Sequence, residues 1–242
     1  MAINLSLIQL RGTIGNMVFG ENGKVSQKPA PRTVTAVRTL ENNAEFKRTI
    51  RASKLLSNLM KPLVLDAKDN NSFNRLTSVI SRIIKKDTIN PRGQRAILDA
   101  QLIHLKGFDF NDKAILSSTL FTLINTTYIR ASGIATLTIP AHSALTAIAA
   151  PKGGTFYKFV GVAFEIDFDT NETFLKSAES PEIRLTKKQV PITDLFFDLT
   201  PASTKTVIFG LGIKFYQKVN GSSYLLKNGL FNTFQLVEIA LP

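Results

Sequence analysis

The chain has 242 residues, of which 44% are hydrophobic, so it is long enough and apolar enough to bury a core. It contains no cysteine, which excludes disulfides, thiolate metal sites and a cysteine nucleophile. No stretch approaches the roughly 18 apolar residues of a membrane span, and the start lacks the pattern of a signal peptide. We therefore expect no membrane span and a location in the cytoplasm, or in a particle assembled there.

The net charge of +12 is concentrated in the N-terminal part. Residues 1–104 contain 17 Lys and Arg against 7 Asp and Glu, whereas residues 105–242 contain 13 against 11. A basic surface of this kind can bind nucleic acid, an acidic partner or an acidic patch on another copy, and it can also serve solubility alone. The asymmetry indicates two parts with different surfaces.

Residues 1–37 have the pattern of a β-hairpin followed by an extended arm. Leu5 and Leu7 alternate with polar residues, as on a half-buried strand. Asn22-Gly23 favours a tight turn, because both residues tolerate positive φ. The prolines within 28–32 exclude regular helix and a central strand there.

Residues 38–106 are predicted to form a basic helical part. The segments 40–61 and 71–86 place apolar residues on one side and basic residues on the other, at 100° per residue. Pro62 is expected to end the first helix, and a third helix is expected after Asn90-Pro91. The side chains predicted to pack the first two helices together are Phe46, Ile50, Leu56, Phe73, Leu76 and Ile80.

From residue 107 the pattern changes to short apolar runs separated by proline and glycine. The segment Val219-Asn220-Gly221-Ser222-Ser223 lies between two such runs and predicts a hairpin. The predicted fold class is α+β, with an N-terminal β-hairpin arm and helical part followed by a C-terminal antiparallel β-sandwich in residues 107–242. The candidate strands are 119–130, 134–139, 155–168, 173–177, 206–218 and 231–240.

The histidines and glycines do not indicate an enzyme. His104 lies near a predicted helix end and His142 lies in a loop after Pro140, settings in which a lone histidine is more often structural or exposed than catalytic. Gly12 and Gly15 do not match a dinucleotide-binding fingerprint, which needs three glycines between a strand and a long helix. We predict no enzyme and no cofactor, and no small-molecule substrate is evident.

An acidic alternation is the sharpest local pattern. On a strand, Glu165, Asp167 and Asp169 would share one face, and the apolar residues between them would share the other. Such a face is usually solvated, although it can also dock a basic surface or bind a hard cation such as Ca²⁺. We predict no metal site and expect no calcium-dependent gain in thermal stability.

Five segments carry a resemblance. They are Gly12-Thr13-Ile14-Gly15-Asn16 to Phe19, Arg38-Thr39-Leu40-Glu41-Asn42-Asn43-Ala44-Glu45-Phe46, Pro91-Arg92-Gly93-Gln94-Arg95, Glu165-Ile166-Asp167-Phe168 and Phe215-Tyr216-Gln217-Lys218-Val219-Asn220-Gly221. They resemble an uncharacterised family of basic proteins common in the Bacteroidota, over most of the chain. No activity is attached to that family, so the resemblance implies one continuous module and no particular function.

These features predict a non-enzymatic structural subunit that assembles with copies of itself, as a filament, shell or phage-like particle. The arm suits strand addition to a neighbour, and the segregated charge suits head-to-tail contact. The alternative is a sequence-nonspecific nucleic-acid-binding protein that uses the basic helical stripes, and a third hypothesis is a carbohydrate- or ligand-binding module on the sandwich. The predicted contact residues are Leu5, Leu7, Ile14, Val18, Phe19, Lys47, Arg51, Lys54, Arg75, Arg82, Lys86, Glu165, Asp167 and Asp169.

Overall fold

The structure, a computed structural model, describes residues 2–3, 10–30, 36–226 and 230–242. It has the predicted α+β class, with a strand hairpin first, helices next and antiparallel sheets in the C-terminal part. The chain divides into two compact units, Met1–Leu40 and Glu41–Pro242. No helix in the described ranges is both long enough and apolar enough to cross a membrane.

The first unit contains a four-stranded antiparallel sheet, which we call the arm sheet. Its strands are β1 (Ala2–Ile3), β2 (Gly12–Ile14), β3 (Met17–Phe19) and β4 (Lys24–Gln27). The strand order is β1-β4-β3-β2. Gly15, at a φ of 56°, begins the two-residue turn between β2 and β3. The chain also reverses at the predicted Asn22-Gly23 position, where a 3-10 turn connects β3 to β4.

Two long helices follow at the predicted positions, α1 (Val37–Val64) and α2 (Ser72–Lys85). Pro62 lies inside the last turn of α1 and does not end the helix, contrary to the prediction. Its fixed φ is compatible with a helix, and its missing N–H removes a single backbone hydrogen bond so close to the end.

The predicted third α-helix is wrong. Residues 91–98 are not helical, and a short 3-10 helix spans Asp99–Leu105. The carboxylate of Asp87 accepts hydrogen bonds of 2.8 to 3.0 Å from three backbone N–H groups between residues 89 and 96, which holds this segment as a loop. Gly93 adopts a φ of 84°, which is incompatible with a continuing right-handed helix.

The C-terminal part forms three antiparallel sheets and two short helices. The predicted strands from residue 134 onward are confirmed with small shifts at their ends, whereas the one predicted at 119–130 begins at Asn125 and β12 was not predicted. The elements are α3 (Leu116–Thr119), β5 (Asn125–Ile129), β6 (Ile134–Ile139), β7 (His142–Ser143), α4 (Ala144–Ala147), β8 (Phe156–Ile166), β9 (Thr173–Glu179), β10 (Ile183–Arg184), β11 (Gln189–Val190), β12 (Thr193–Asp198), β13 (Thr206–Val219), β14 (Ser222–Leu225) and β15 (Thr233–Ala240).

A six-stranded sheet at the centre of this unit is covered on both faces. Its order is β10-β8-β13-β14, with β9 also paired to β8 and β15 also paired to β13. Along β8, Val160, Val162 and Phe164 belong to the core that contains the apolar sides of α1 and α2. Tyr157 and Phe159 belong to the core on the opposite face. Burial on both faces explains why this strand is almost continuously apolar in sequence.

A three-stranded sheet, in the order β12-β6-β5, covers that opposite face. The two sheets approach closely at Gly161 in β8. A Cβ atom there would lie 2.6 Å from Cδ1 of Leu195 and 3.0 Å from Cζ of Phe197, so only glycine fits without displacement. The two sheets form the predicted sandwich, and the helices add a third layer. The remaining two-stranded sheet pairs β7 with β11.

The apolar sides of α1 and α2 share one core, as their sequence patterns predict. Leu56 and Ile80 are fully buried in it. Phe46, by contrast, is 61% exposed, so its placement in the core is wrong. The buried position in that turn belongs to Glu45, whose Oε1 accepts the N–H of Gly93 at 2.9 Å. The half-buried members of the predicted set are Ile50 and Phe73.

Candidate assembly surfaces

The arm sheet has one apolar face. Cross-strand pairs share a face and alternate residues change face, so the register places Ile14, Met17, Phe19 and Val25 together. We call these four residues the apolar arm face. Ile14 is 60% exposed and Met17 is 56% exposed. None of the described side chains between residues 10 and 30 is buried, so these residues form no core among themselves.

The sequence identified this surface in part. Ile14 and Phe19 were predicted as contacts and do share the apolar arm face, whereas Val18 lies on the opposite face beside Thr13. Met17 and Val25 were missed, because Met17-Val18-Phe19 is apolar without interruption and only the strand register shows which of its residues share a face with Val25. The predicted contacts Leu5 and Leu7 lie outside the described residues.

The predicted basic stripe on α1 is largely exposed. Lys47 and Lys54 have no hydrogen bond or ion pair with any described residue. Arg51 is also exposed, but its Nε donates to Oδ1 of Asn171 at 3.0 Å. Two of the three predicted positions on this helix therefore present free ammonium groups to solvent.

Arg75, predicted as part of the stripe on α2, is used within the chain. Its guanidinium forms an ion pair with Asp69, donates to the carbonyl of Asp109 at 2.8 Å and lies 5.5 Å from the ring centre of Phe108. Burial raises the pKa of Asp69, but hydrogen bonds from backbone N–H groups and from Arg75 outweigh it and hold the pKa below its ordinary value. Arg75 therefore links α2 to Asp69 before it and to residues 108–109 after it.

Arg82 and Lys86 lie at the C-terminal end of α2 beside His104. Nζ of Lys86 donates to Nε2 of His104 at 2.6 Å, across a groove of about 220 Å³ that Arg82 also lines. Cations at this end of a helix complement its dipole, and the same dipole opposes a bound anion. The cluster is explained by helix stability and does not by itself indicate a phosphate site.

The predicted acidic strand face does not exist. Strand β8 ends at Ile166, and Glu165 is buried, with its carboxylate accepting the N–H of Thr200 at 2.6 Å and the hydroxyl of Ser203 at 2.9 Å. Asp167 instead accepts the N–H of Asp169 in a turn. These contacts satisfy Glu165 within its own chain, so it is not a surface contact. No group of three potential metal ligands occurs among the described residues.

Burial and turn geometry affect the pKa of Asp167 in opposite directions. Partial desolvation raises it, but the backbone N–H groups of Asp169 and Thr170 donate to the carboxylate and bring the net pKa below its ordinary value. Asp167 therefore remains ionised and stabilises the turn, while Asp169 stays exposed.

His142 is a buried histidine with a structural role. Its Nδ1 lies 2.8 Å from the carbonyl of Pro140, and its Nε2 lies 2.9 Å from the hydroxyl of Tyr157. Burial raises the pKa of Tyr157 far above its ordinary value, so this phenol stays protonated. Both ring nitrogens of His142 are thus engaged with the protein.

The outer face of the three-stranded sheet was missed in the sequence. Its exposed apolar side chains are Ile129, Ile134 and Phe196, and Asp194 and Asp198 lie on the same face. The signal was the alternation in β12, where Leu195 and Phe197 point inward between these outward residues.

A search of protein-family models finds no match to this chain, and a search of curated proteins finds no significant similarity. The resemblance to the basic proteins of the Bacteroidota therefore stays a prediction.

Proposed function

We propose that the protein is a non-enzymatic structural subunit that assembles with copies of itself through its N-terminal arm. The proposal is based on the apolar arm face, which lies on a sheet in which no described side chain is buried. An apolar sheet face is normally buried against another element. A clustered, exposed apolar face is typical of an interaction site.

The strand lengths support the same proposal. Within the described residues, the strands of the arm sheet have two to four residues, so these ladders contribute few hydrogen bonds. Among the described strands, β1 and β2 lie at the two edges of the sheet, and edge strands can offer backbone groups for pairing. A second chain can therefore contribute both apolar cover and strand pairing.

Light scattering on the full chain and on a chain lacking residues 1–32 tests the proposal. We expect the full chain to form oligomers or polymers at tens of micromolar, and the shortened chain to remain folded and monomeric, because the buried core lies in residues after 51. A monomeric full chain would refute the proposal. An unfolded shortened chain would show that the arm stabilises its own chain.

A matched pair of substitutions makes the test specific to one face. Met17→Asp places a charge on the apolar arm face, and Thr13→Asp places the same charge on the opposite face of the same sheet. We expect the first to weaken assembly at least tenfold and the second to leave it close to wild type. Equal effects would mean that added charge, and not the face, determines assembly.

Nucleic-acid binding is the second candidate function, supported by the free ammonium groups of Lys47 and Lys54. The engagement of Arg75 inside the chain removes one of the predicted phosphate contacts. A salt-sensitive gel shift of duplex DNA that weakens in the double variant Lys47→Gln and Lys54→Gln would favour this function.

A further inference from the structure

The edge strand β5 (Asn125–Ile129) lacks the features that normally prevent an exposed strand from pairing. Among the described residues, its backbone hydrogen-bonds only to β6 and to the turn that follows it. It contains no charged residue, no proline and no glycine. Its side chains are alternately exposed and half-buried. The backbone groups on its outer side are therefore available to another strand.

The other long edges of this domain are protected by charge or by cover. Lys176 and Glu179 lie on the edge strand β9. Asp194 and Asp198 lie on β12, the opposite edge of the three-stranded sheet. Residues 107–110 hydrogen-bond to the outer side of β15. Charged side chains on an edge oppose pairing with another chain, and β5 has none.

The chain segment around β5 is also nearly uncharged, although the whole chain has a net charge of +12. Between Lys113 and Lys152, the only charged residue is Arg130. Its guanidinium donates to the carbonyls of Ser203 and Leu241, both at 2.6 Å, and is held within its own chain. Two copies can therefore bring their β5 edges together without placing like charges opposite each other.

We infer that β5 of one copy pairs antiparallel with β5 of a second copy across a twofold axis. This inference goes beyond the proposed function, because the arm takes no part in the contact. The two three-stranded sheets become one six-stranded sheet. A register centred on Thr127 places this residue opposite its own copy, and Thr126 opposite Tyr128. Threonine pairs and aromatic–β-branched pairs are favourable cross-strand neighbours.

The β5 contact is weak by itself. Each strand contributes only five residues, and two paired strands alone are marginal in water. A chain without the arm therefore stays largely monomeric. In the full chain, the arm contact holds copies together and raises the effective concentration of their β5 edges. A twofold contact alone stops at a dimer, so growth beyond a dimer needs the arm.

Disulfide trapping in the full chain tests the inference, because the protein contains no cysteine. Opposed residues of antiparallel strands have Cα atoms about 4.5–5.5 Å apart, a distance that a disulfide spans. Under mild oxidation, Thr127→Cys should link about half of the chains or more into a dimer of twice the 26.7 kDa chain mass on a non-reducing denaturing gel. The matched control Thr173→Cys, also at an exposed threonine on an edge strand, should link less than about a tenth.

A second pair of variants tests the register and replaces Thr127→Cys should that chain lose its thermal transition. Asn125→Cys and Ile129→Cys should each remain unlinked alone and should link to each other when mixed, because the register places these two positions opposite each other. If neither this mixture nor Thr127→Cys links more than Thr173→Cys, while the wild type assembles, the inference is overturned and the proposed function stands.

Two further mixtures separate this contact from the arm. Preferential linkage of Thr127→Cys to Thr13→Cys would assign the β5 edge to strand β2 of the arm and would also overturn the inference. Self-linkage of Thr127→Cys, together with wild-type assembly of Met17→Asp, would support the inference and refute the proposed function.

Discussion

The arm sheet and the three-layer domain are both built from antiparallel strands. The strands of the domain bury most of their apolar side chains, whereas the described side chains of the arm sheet stay at least partly exposed. In the domain, β8 and β13 have 11 and 14 residues, and layers cover both of their faces. In the arm, the strands have at most four residues, and no described side chain is buried. Uninterrupted apolar residues occur in both, in most of β8 and in Met17-Val18-Phe19 of β3. The comparison teaches that apolar strand residues are buried only where another layer covers them.

The largest expected effect is in the central sheet. Phe209 is completely buried in β13 and forms an edge-to-face contact with Tyr128. We predict that Phe209→Ala lowers the free energy of unfolding by about 3–5 kcal/mol, measured by urea denaturation. Phe46→Ala serves as the exposed control and should change it by less than about 0.5 kcal/mol. A small loss at Phe209 would contradict the assignment of the domain core.

A buried polar contact should have the next largest effect. In Glu165→Gln, one carboxylate oxygen that accepts a hydrogen bond from Thr200 or Ser203 becomes an NH₂ donor. We predict a loss of about 1–3 kcal/mol in the free energy of unfolding. Asp169→Asn, in the exposed turn nearby, should be close to neutral. Equal stability of Glu165→Gln and the wild type would show that these bonds contribute nothing net.

Asp87 should make part of the stability dependent on pH. Hydrogen bonds from Ala96 N–H, the Asn90 amide and further backbone N–H groups hold the pKa of Asp87 well below its ordinary value. A depressed pKa stabilises the folded state above the unfolded pKa of about 3.9, and that stabilisation is lost as the pH falls toward the folded pKa. The advantage of the wild type over Asp87→Asn in urea denaturation should therefore shrink between about pH 6 and about pH 3. A constant difference would contradict this role.

The smallest expected effect on stability is in the arm. Met17→Ala should change the free energy of unfolding of the monomeric domain by less than about 0.5 kcal/mol, because Met17 is exposed. Thermal unfolding at a concentration below assembly measures this. A loss of several kcal/mol would mean that the apolar arm face is buried in its own chain, and the contrast between the two regions would disappear.

The helices and most strands were predictable because their signals are local. The one-sided pattern of α1 and α2 follows from 3.6 residues per turn, and the positive φ values of Asn220 and Gly221 match the predicted hairpin. The predicted third helix does not form, because the carboxylate of Asp87 accepts a hydrogen bond from the N–H of Ala96 and holds the segment between them as a loop. Helix propensity reflects local sequence alone and does not include this contact. The sequence identified two of the four residues of the apolar arm face. It missed the outer face of the three-stranded sheet, because β12 was not predicted.

The sequence by itself determined the class of the fold, the positions of the long helices and central strands, and the concentration of basic charge near the N-terminus. These depend on periodicity, turn residues and composition, which act over a few residues. Tertiary structure decided that Glu165 is buried, that Arg75 is engaged internally and that Phe46 and Phe196 are exposed. The environment of each side chain depends on segments that are far away in sequence. The packing of those segments determines which buried polar groups form hydrogen bonds and which apolar faces remain uncovered.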